Sequence, residues 1–226
     1  MSLSLLRRSP LLRMLPAPAL AHVHRIAKWC DYPSGAQIFD RKDPPSHMYI
    51  VSEGRVKIYS ASGGKKRKTF AYLGPGAFFG EMALLDGLER SACAQAVERT
   101  RLLLIHKRDF LYMLLTEPKL GLFLLREMSR RLRRADQEIE GLMFRNVLGR
   151  VSKTLVNLAG RGRLANGGTP LRARYTHQEL ADLVGTTREP LSRALAALKR
   201  AELVDVRQGQ LYLRDLGKLR ALTGED

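Results

Sequence analysis

Residues 175–199 read YTHQELADLVGTTREPLSRALAALK, and this stretch predicts two helices joined by a tight turn. Thr176 followed by Glu179 is a capping-box pattern, in which the hydroxyl and the carboxylate each bond a free backbone N–H at the start of a helix. Gly185 can take the left-handed backbone conformation that ends such a helix. We therefore expect the first helix to begin after Thr176 and to stop before Gly185.

The second helix should follow at once. Thr186 or Thr187 can cap it, and Pro190 is tolerated in a first turn because its missing N–H has no intrahelical acceptor there. Leucines spaced by four and three predict the buried face: Leu191, Leu195 and Leu198. Glu189 and Arg193 are four residues apart and lie on the opposite, solvent face.

The outer face of this second helix has the chemistry to read DNA. Arginine can donate two parallel bonds to guanine O6 and N7, and glutamate can accept from cytosine N4 in the major groove. The candidate DNA-binding residues are Thr176, Thr187, Arg188, Glu189, Ser192 and Arg193. The alternative is an exposed, charged helix in an ordinary α-helical domain. The following residues, LVDVRQGQLYLRD, favour DNA binding, because two β-prone runs around Gln208-Gly209 predict a hairpin and therefore a winged helix.

Composition narrows the class of protein. The 226 residues have a formal net charge of +17, which favours a polyanionic partner but fits RNA, DNA or an anionic membrane alike. Cys30 and Cys93 are too few for the four thiolates of an iron–sulfur cluster, and the scattered histidines form no metal-ligand pattern. Prolines and Arg13 interrupt the N-terminal apolar residues. We therefore expect no signal peptide and no membrane span, and we place the protein in the cytoplasm.

From Tyr32 onwards the sequence changes to short alternating runs, separated by glycine-bearing turns about ten residues apart. The predicted strands lie in YPSGAQIF, MYIVSEGRVKIYSASGG, KTFAYLGPGAFFG and SACAQAVERTRLLLIHKRDF. This pattern indicates a compact antiparallel β unit, either a sandwich or a barrel. The basic run from Lys65 to Lys68 at a hairpin end fits a solvated loop or a nucleic-acid contact.

A long helix is predicted from Glu117 to Phe144, with Pro118 in its first turn. Apolar residues spaced three, four, three, four and three apart form a heptad seam: Leu125, Met128, Leu132, Ala135, Ile139 and Leu142. The seam predicts a parallel two-stranded coiled coil, and therefore a homodimer. The alternative is a single amphipathic helix packed on its own β domain.

The residues around the seam lead to two further expectations. A solvated face is expected for the arginines beside it: Arg130, Arg131, Arg133 and Arg134. The helix should stop near Arg145, where Asn146 can cap the next helix, so a hinge is expected at residues 143–147.

Inside the β unit, residues 73–96 read LGPGAFFGEMALLDGLERSACAQA and can hold an anion. The glycines let the backbone approach a ligand closely, and residues 81–85 can form one helical turn whose free N–H groups favour negative charge. Arg90, the only cation of this stretch, can clamp a phosphate together with the hydroxyl of Ser91. A turn followed by a structural salt bridge would use the same residues. We expect that replacing Arg90 by alanine abolishes anion binding and leaves the fold intact.

Three segments, FGEMALLDGLERSA, RNVLGRVSKTLVNLA and ELADLVGTTREPLSRALAALK, resemble the cyclic AMP receptor protein/Fnr family of bacterial transcription regulators. The resemblance runs from about Leu11 to Leu213. It implies an α+β fold, with an N-terminal antiparallel β-roll that is a cyclic-nucleotide-binding domain, a long dimerisation helix and a C-terminal winged helix-turn-helix. The domains would then be residues 1–116, 117–144 and 145–226.

The resemblance also implies roles for single residues. Gly80 and Glu81 match family positions that hold the ribose and the cyclic phosphate, and Arg90 and Ser91 match positions on the phosphate. The family's three base-reading positions are matched by Arg188, Glu189 and Arg193. This match implies TGTGA-like half-sites in an inverted repeat of double-stranded DNA, and RNA polymerase as a further partner.

The chain departs from the family where the purine is held. Members that bind cyclic AMP present a threonine and then a serine to the adenine, whereas this chain has Ala135 and Asp136. The carboxylate of Asp136 can accept from adenine N6, can take both N1–H and N2–H of a guanine, or can lie unused beside the coiled coil. Cyclic AMP is the first candidate ligand, and the alternatives are cyclic GMP, a cyclic dinucleotide or no small ligand.

We therefore predict a homodimeric, sequence-specific DNA-binding transcription regulator that is controlled by a cyclic nucleotide. The competing class is a nucleotide-regulated enzyme subunit. The sequence contains no nucleophile–base pair and no second catalytic domain that would support an enzyme. We expect no metal, haem or iron–sulfur cofactor.

Overall fold

The computed structural model of the protein describes residues 6–62, 66–144, 146–160 and 168–223. Three parts of the predictions lie outside the described residues: Lys65 of the basic run, Arg145 of the hinge and the side chain of Leu142 in the seam. The chain separates into two compact units, Met1–Arg131 and Leu132–Asp226. Of the helices in the described ranges, none combines the length and the apolar composition that crossing a bilayer requires.

Two four-stranded antiparallel sheets form the centre of the first unit. Its strands are β1 (Lys28–Tyr32), β2 (Gln37–Phe39), β3 (His47–Glu53), β4 (Val56–Ser62), β5 (Lys66–Leu73), β6 (Phe78–Phe79), β7 (Cys93–Ala96) and β8 (Thr100–His106). One sheet has the strand order β1-β8-β3-β6 and the other β2-β7-β4-β5. Buried side chains from both sheets form one core cluster: Phe39, Tyr49, Val51, Val56, Phe79, Ala94 and Leu102. The predicted antiparallel β unit is confirmed, although it begins at Lys28 and not at Tyr32.

Within the described residues, a short 3-10 helix (Leu12–Met14) and four α-helices accompany these sheets. The α-helices are α1 (Ala17–Ile26), α2 (Met82–Asp86), α3 (Lys107–Thr116) and α4 (Pro118–Phe144). A second core cluster joins the N-terminal leucines to β3, β8 and the helices, and it includes Leu11, Leu12, Leu20, Met48, Ile105, Phe110, Met113, Leu120 and Leu124. The N-terminal segment is therefore part of the core of this unit.

Helix α3 corrects the sequence prediction, which placed KRDF at the end of a strand. The side chain of His106 accepts a hydrogen bond from the backbone N–H of Arg108 at 3.2 Å and so caps the helix. Phe110 and Met113, three residues apart, are both buried and hold this helix against the core. A histidine cap is a weaker sequence signal than a serine, threonine or aspartate cap, and the prediction missed it for that reason.

Helix α4 confirms the predicted long helix, beginning at Pro118. Glu117 is excluded from it because its backbone N–H bonds the carbonyl oxygen of Met113 and closes α3. In the N-terminal part of α4, Leu120 and Leu124 are buried. Further along, the seam residues Leu125, Leu132 and Ile139 are 66%, 64% and 56% exposed. Met128 is half-buried and Ala135 is exposed, so the described seam leaves mostly apolar side chains uncovered by their own chain.

In the described part of the second unit, four helices and three short strands follow α4. In chain order they are α5 (Val147–Asn157), β9 (Thr169–Pro170), α6 (His177–Val184), α7 (Arg188–Arg200), β10 (Val204–Arg207), β11 (Gln210–Leu213) and α8 (Leu216–Ala221). The strands form one antiparallel sheet in the order β10-β11-β9. Asn146 caps α5 as predicted, since its Oδ1 accepts the N–H of Gly149 at 2.9 Å.

The predicted helix-turn-helix and hairpin are confirmed. Thr176 and Glu179 form both bonds of the capping box of α6, and Gly185 ends that helix with φ 76° and ψ 45°. The three predicted leucines of α7 are buried. The hairpin turns at Gln208 and Gly209, whose φ angles are 50° and 74°. Thr187 lies at the N-cap position of α7, but its hydroxyl makes no capping bond there.

Candidate functional site

The predicted phosphate-binding arginine is buried inside the first unit. Arg90 is only 3% exposed. Its Nη1 donates to the carbonyl oxygen of Gly80 at 2.7 Å, and its Nη2 donates to that of His47 at 3.0 Å. The guanidinium also lies 4.4 Å from the ring centroid of Phe39. Arg90 therefore holds backbone groups in place, and its replacement by alanine would leave two carbonyl groups without this donor. That the fold stays intact without Arg90 remains a prediction, and these two bonds count against it.

The backbone conformation and the close packing at position 80, between Arg90 and β3, both require a glycine. Its φ is +80°, a left-handed conformation that other residues seldom adopt. A Cβ atom there would lie 3.0 Å from Nη1 of Arg90 and 3.2 Å from Cδ2 of Tyr49. The glycine thus lets the backbone carbonyl approach the guanidinium closely, which brings two of the predicted site residues into direct contact.

Glu81, the next residue, is completely buried and is paired with an arginine from α4. Its Oε1 lies 2.5 Å from Nη1 of Arg131, whose side chain is 38% exposed. Burial raises the pKa of the Glu81 carboxyl, and the positive charges of Arg131 and Arg90 act against that rise. Arg131 was predicted on a solvated face, and this prediction was wrong. The two partners are 50 residues apart in the chain, so no local spacing indicates their contact.

Two atoms of this cluster have no hydrogen-bond partner within the described residues. They are Oε2 of Glu81 and Nε of Arg90, and both are buried. Buried polar atoms are nearly always paired, because an unpaired one costs about 1–3 kcal/mol. One free acceptor on Glu81 and one free N–H of the Arg90 guanidinium fit a ligand that offers a hydroxyl and an anionic oxygen. A ribose joined to a phosphate has both groups.

The remaining predicted nucleotide-binding residues are exposed, unlike the buried Glu81 and Arg90. Ser91 is exposed, and its Oγ lies 3.8 Å from Sδ of Met82. Helix α2 begins at Met82, one residue later than expected, and the carbonyl of Glu81 accepts the N–H groups of Leu84 and Leu85. Ala135 and Asp136 are exposed residues of α4 within the second unit, and their contact with a base stays a prediction.

A small cavity lies elsewhere in the first unit and does not compete with this cluster as a nucleotide site. It has a volume of about 20 Å³ and is lined by residues such as Leu6, Ser9, Trp29, Ile50 and Leu103. That space holds about one water molecule. In the part of the chain that the structure describes, no group of three or more His, Cys, Asp or Glu side chains is arranged to hold a metal ion.

The predicted DNA-reading residues share the outer face of α7. Arg188, Glu189 and Arg193 are exposed, and Nη1 of Arg193 lies 2.9 Å from Oε1 of Glu189. The side chains of Arg193 and Glu189 are 70% and 79% exposed, so each can exchange this bond for a bond to another group. Ser192 is half-buried on the same face, and its Oγ lies 3.1 Å from Nδ1 of His177, a residue that the sequence prediction left out.

Two family models match the chain. A cyclic nucleotide-binding domain is matched by residues 29–117, and a Crp-like helix-turn-helix domain is matched by residues 149–222. A cyclic-nucleotide-binding β-roll followed by this helix-turn-helix domain defines the class of protein as a DNA-binding transcription regulator. The first match contains Gly80, Glu81 and Arg90, and the second contains all of α6 and α7.

Relatives narrow the class further. The chain is 39% identical over 191 residues to the cyclic AMP receptor protein of Thermus thermophilus. The alignment covers 84% of this chain and 86% of that protein. This chain is 30% identical over 194 residues to the CRP-like cAMP-activated global transcriptional regulator of Mycobacterium tuberculosis, covering 85% and 86% of the two chains. The chain belongs to the cyclic AMP receptor protein/Fnr family of transcription regulators.

Solved structures agree with this assignment. The c-di-GMP-responsive global regulator CLP of Xanthomonas campestris superposes with a TM-score of 0.76 at 26% identity. The alignment covers 88% of this chain and 100% of CLP. The predicted family and fold class are therefore confirmed.

Proposed function

We propose that the protein is a homodimeric transcription regulator whose DNA binding is controlled by cyclic AMP bound at Gly80, Glu81, Arg90 and Ser91. The proposal depends mainly on one observation: Oε2 of Glu81 and Nε of Arg90, a residue that bonds the carbonyl of the neighbouring Gly80, are buried and have no hydrogen-bond partner within the described residues. Oε2 of Glu81 would accept a ribose hydroxyl, and the Arg90 guanidinium would donate to the cyclic phosphate. A phosphate anion would also offset the positive charge that Arg90 carries into the interior.

Relatives support the choice of cyclic AMP. Both curated relatives named above carry cyclic AMP in their names. The second candidate is a guanine nucleotide, cyclic GMP or a cyclic dinucleotide. It is supported by Asp136, whose carboxylate can accept from both N1–H and N2–H of guanine, and by the similarity to the c-di-GMP-responsive CLP.

Isothermal titration of the full chain decides between these ligands. Cyclic AMP, cyclic GMP and c-di-GMP are titrated separately, with linear 5′-AMP as the control for phosphate attraction alone. Cyclic AMP should bind most tightly. If the protein prefers a guanine nucleotide and Asp136→Ala loses that preference, the guanine nucleotide and not cyclic AMP is the ligand. If none of the three binds, nucleotide control is removed from the proposal.

For DNA, we propose that Arg188, Glu189 and Arg193 read base edges in TGTGA-like half-sites of an inverted repeat, with Thr176, Thr187 and Ser192 beside them. The exposed Glu189–Arg193 pair supports this, because its donors and acceptor are held together at the surface and match guanine and cytosine edges. RNA polymerase would then be the partner of the protein bound at a promoter.

A randomised-site selection tests the reading face. Arg193→Ala should lose about 1–3 kcal/mol of discrimination at one base pair of each half-site. Arg200→Ala, at the end of the same helix, is the matched control, and it should keep the base preferences of the wild type. If Arg193→Ala returns the same preferences as the wild type, α7 does not read the sequence.

A further inference from the structure

A histidine at the start of one reading helix bonds a serine in the middle of the other. His177 is the first residue of α6, and its Nδ1 lies 3.1 Å from Oγ of Ser192 on α7. His177 is exposed and Ser192 is half-buried, on the face that carries Arg188, Glu189 and Arg193. The imidazole therefore touches a hydroxyl that belongs to the proposed reading surface.

A serine hydroxyl has one hydrogen and two lone pairs, so the bond to His177 decides what remains for a base. When Nδ1 accepts, the Ser192 hydrogen is used, and the oxygen can still accept from adenine N6 or cytosine N4. When Nδ1 carries a proton it donates to Ser192. The serine hydrogen is then free for guanine O6 or N7, or for thymine O4.

We propose that His177 is a specificity-determining positioning residue, which sets whether Ser192 donates to a base or accepts from one. The inference rests on the proposed role of α7 as the reading helix. It adds a base position whose preference depends on whether Nδ1 of the imidazole carries a proton. Acid favours a base with an acceptor edge opposite Ser192, and alkaline solution permits a base with an amino group.

The surroundings of His177 are consistent with this role. Charged groups on the segments packed around it are Arg174, Glu179 and Asp182 near α6, Arg188, Glu189, Arg193, Lys199 and Arg200 on α7, and Arg150 and Lys153 on α5. Oε2 of Glu179 bonds the N–H of Thr176, Oδ1 of Asp182 bonds Nε2 of Gln178, and Glu189 bonds Arg193. Each of these carboxylates thus bonds another group, and the imidazole bonds the serine hydroxyl.

The test is a randomised-site selection with the full chain and cyclic AMP, run at about pH 6 and about pH 8.5. Wild type should change its preference at one base of each half-site by about fivefold or more between the two conditions. His177→Arg, which can only donate, should show the acidic preference at both. Ser192→Ala should lose the change altogether.

Arg193→Ala is selected in parallel, so that two failures are told apart. If Arg193→Ala keeps all wild-type preferences, α7 is not the reader and the proposed function fails. If Arg193→Ala alters the preferences while the wild type and His177→Arg each select the same bases at both pH values, α7 reads DNA but the inference about His177 is overturned.

Discussion

Oε1 of Glu81 lies 2.5 Å from Nη1 of Arg131, and this contact ties the proposed nucleotide-binding segment to helix α4. Glu81 has no exposed surface, so its charge depends on partners inside the protein. Arg131 supplies that charge from the same helix that carries the exposed seam. The contact between the proposed site and the helix therefore contributes to the stability of the fold. This contribution can be measured without any ligand.

Arg131→Met should lower the free energy of unfolding of the first unit, because a buried carboxyl is left without its partner. The upper limit is about 3–5 kcal/mol for a fully buried pair, and the 38% exposure of the Arg131 side chain makes the loss smaller. The deficit should shrink in mild acid, since burial raises the pKa of Glu81 and an unpaired carboxyl takes up a proton more readily. Urea unfolding at several pH values measures both effects.

The neighbouring arginine is the control for this experiment. Arg130 pairs with Glu127 on the exposed surface of the same helix. Arg130→Met should change stability by less than about 1 kcal/mol. Equal losses for the two variants would show that the Glu81–Arg131 contact is no more important than a surface pair.

His47 should make the first unit sensitive to acid. Burial, followed by the nearby charges of His106, Lys28 and Arg90, lowers the pKa of His47. A folded-state pKa below the unfolded-state value means that the stability contribution is present above about pH 6.5 and is lost as the pH falls through the folded-state value. His47→Gln should therefore lose less stability than wild type between about pH 7.5 and pH 5.5.

Urea midpoints at the two pH values measure this difference. The matched control is His24→Gln on α1, an exposed histidine that should keep the acid sensitivity of wild type. The ring of His47 lies 5.1 Å from that of His106, its direct partner in the strand register, so His106→Gln should show a smaller effect of the same sign. If His47→Gln and wild type lose stability in parallel, the lowered pKa of His47 has no influence on folding.

The elements that the sequence predicted well are those with local signals. The capping box at Thr176, the glycine at Gly185 and the Gln208-Gly209 turn each depend on residues within a few positions, and each was confirmed. The heptad spacing predicted the length of α4 in the same way. Local signals were enough for the order of the elements, and they failed at α3, whose cap is a histidine.

The site was predicted less completely because its contacts join distant parts of the chain. The family resemblance identified Gly80, Glu81 and Arg90, but it did not predict that Arg90 bonds the carbonyl of His47, 43 residues away. Arg131 looked like any other arginine on an exposed helix until the fold brought it to Glu81. The pairing of Arg131 depends on the burial of Glu81, and burial depends on the whole fold.

The apolar seam of α4 should hold two chains together. Leu132 and Ile139 are 64% and 56% exposed in the single chain, and burying each against a partner would contribute about 1.5–3 kcal/mol. Leu132→Glu combined with Ile139→Glu should therefore give monomers in sedimentation. Leu115→Glu is the control, because Leu115 is 85% exposed on α3 and lies off the seam. A double variant that sediments as a dimer would show that the seam is not the interface.

Alanine variants at Gly80 and Gly87 separate the geometry of the proposed phosphate clamp from backbone strain. Both have left-handed φ angles, +80° and +74°, so an alanine at either position costs about 1–2 kcal/mol of conformational strain. The space around them differs. An added Cβ at Gly80 would lie 3.0 Å from Nη1 of Arg90, whereas at Gly87 it would meet nothing within 4 Å.

Gly80→Ala should therefore displace the Arg90 guanidinium and weaken cyclic AMP binding by about tenfold to a hundredfold, the value of one hydrogen bond to a charged group. Gly87→Ala should lose only the stability that the conformational strain costs, and it should keep its affinity. Titration calorimetry with cyclic AMP, together with urea unfolding of both variants, measures the two quantities separately. Because the strain is matched, a loss of affinity confined to Gly80→Ala would assign it to the contact between residue 80 and Arg90. Equal affinities in the two variants would mean that the position of this guanidinium does not govern nucleotide binding.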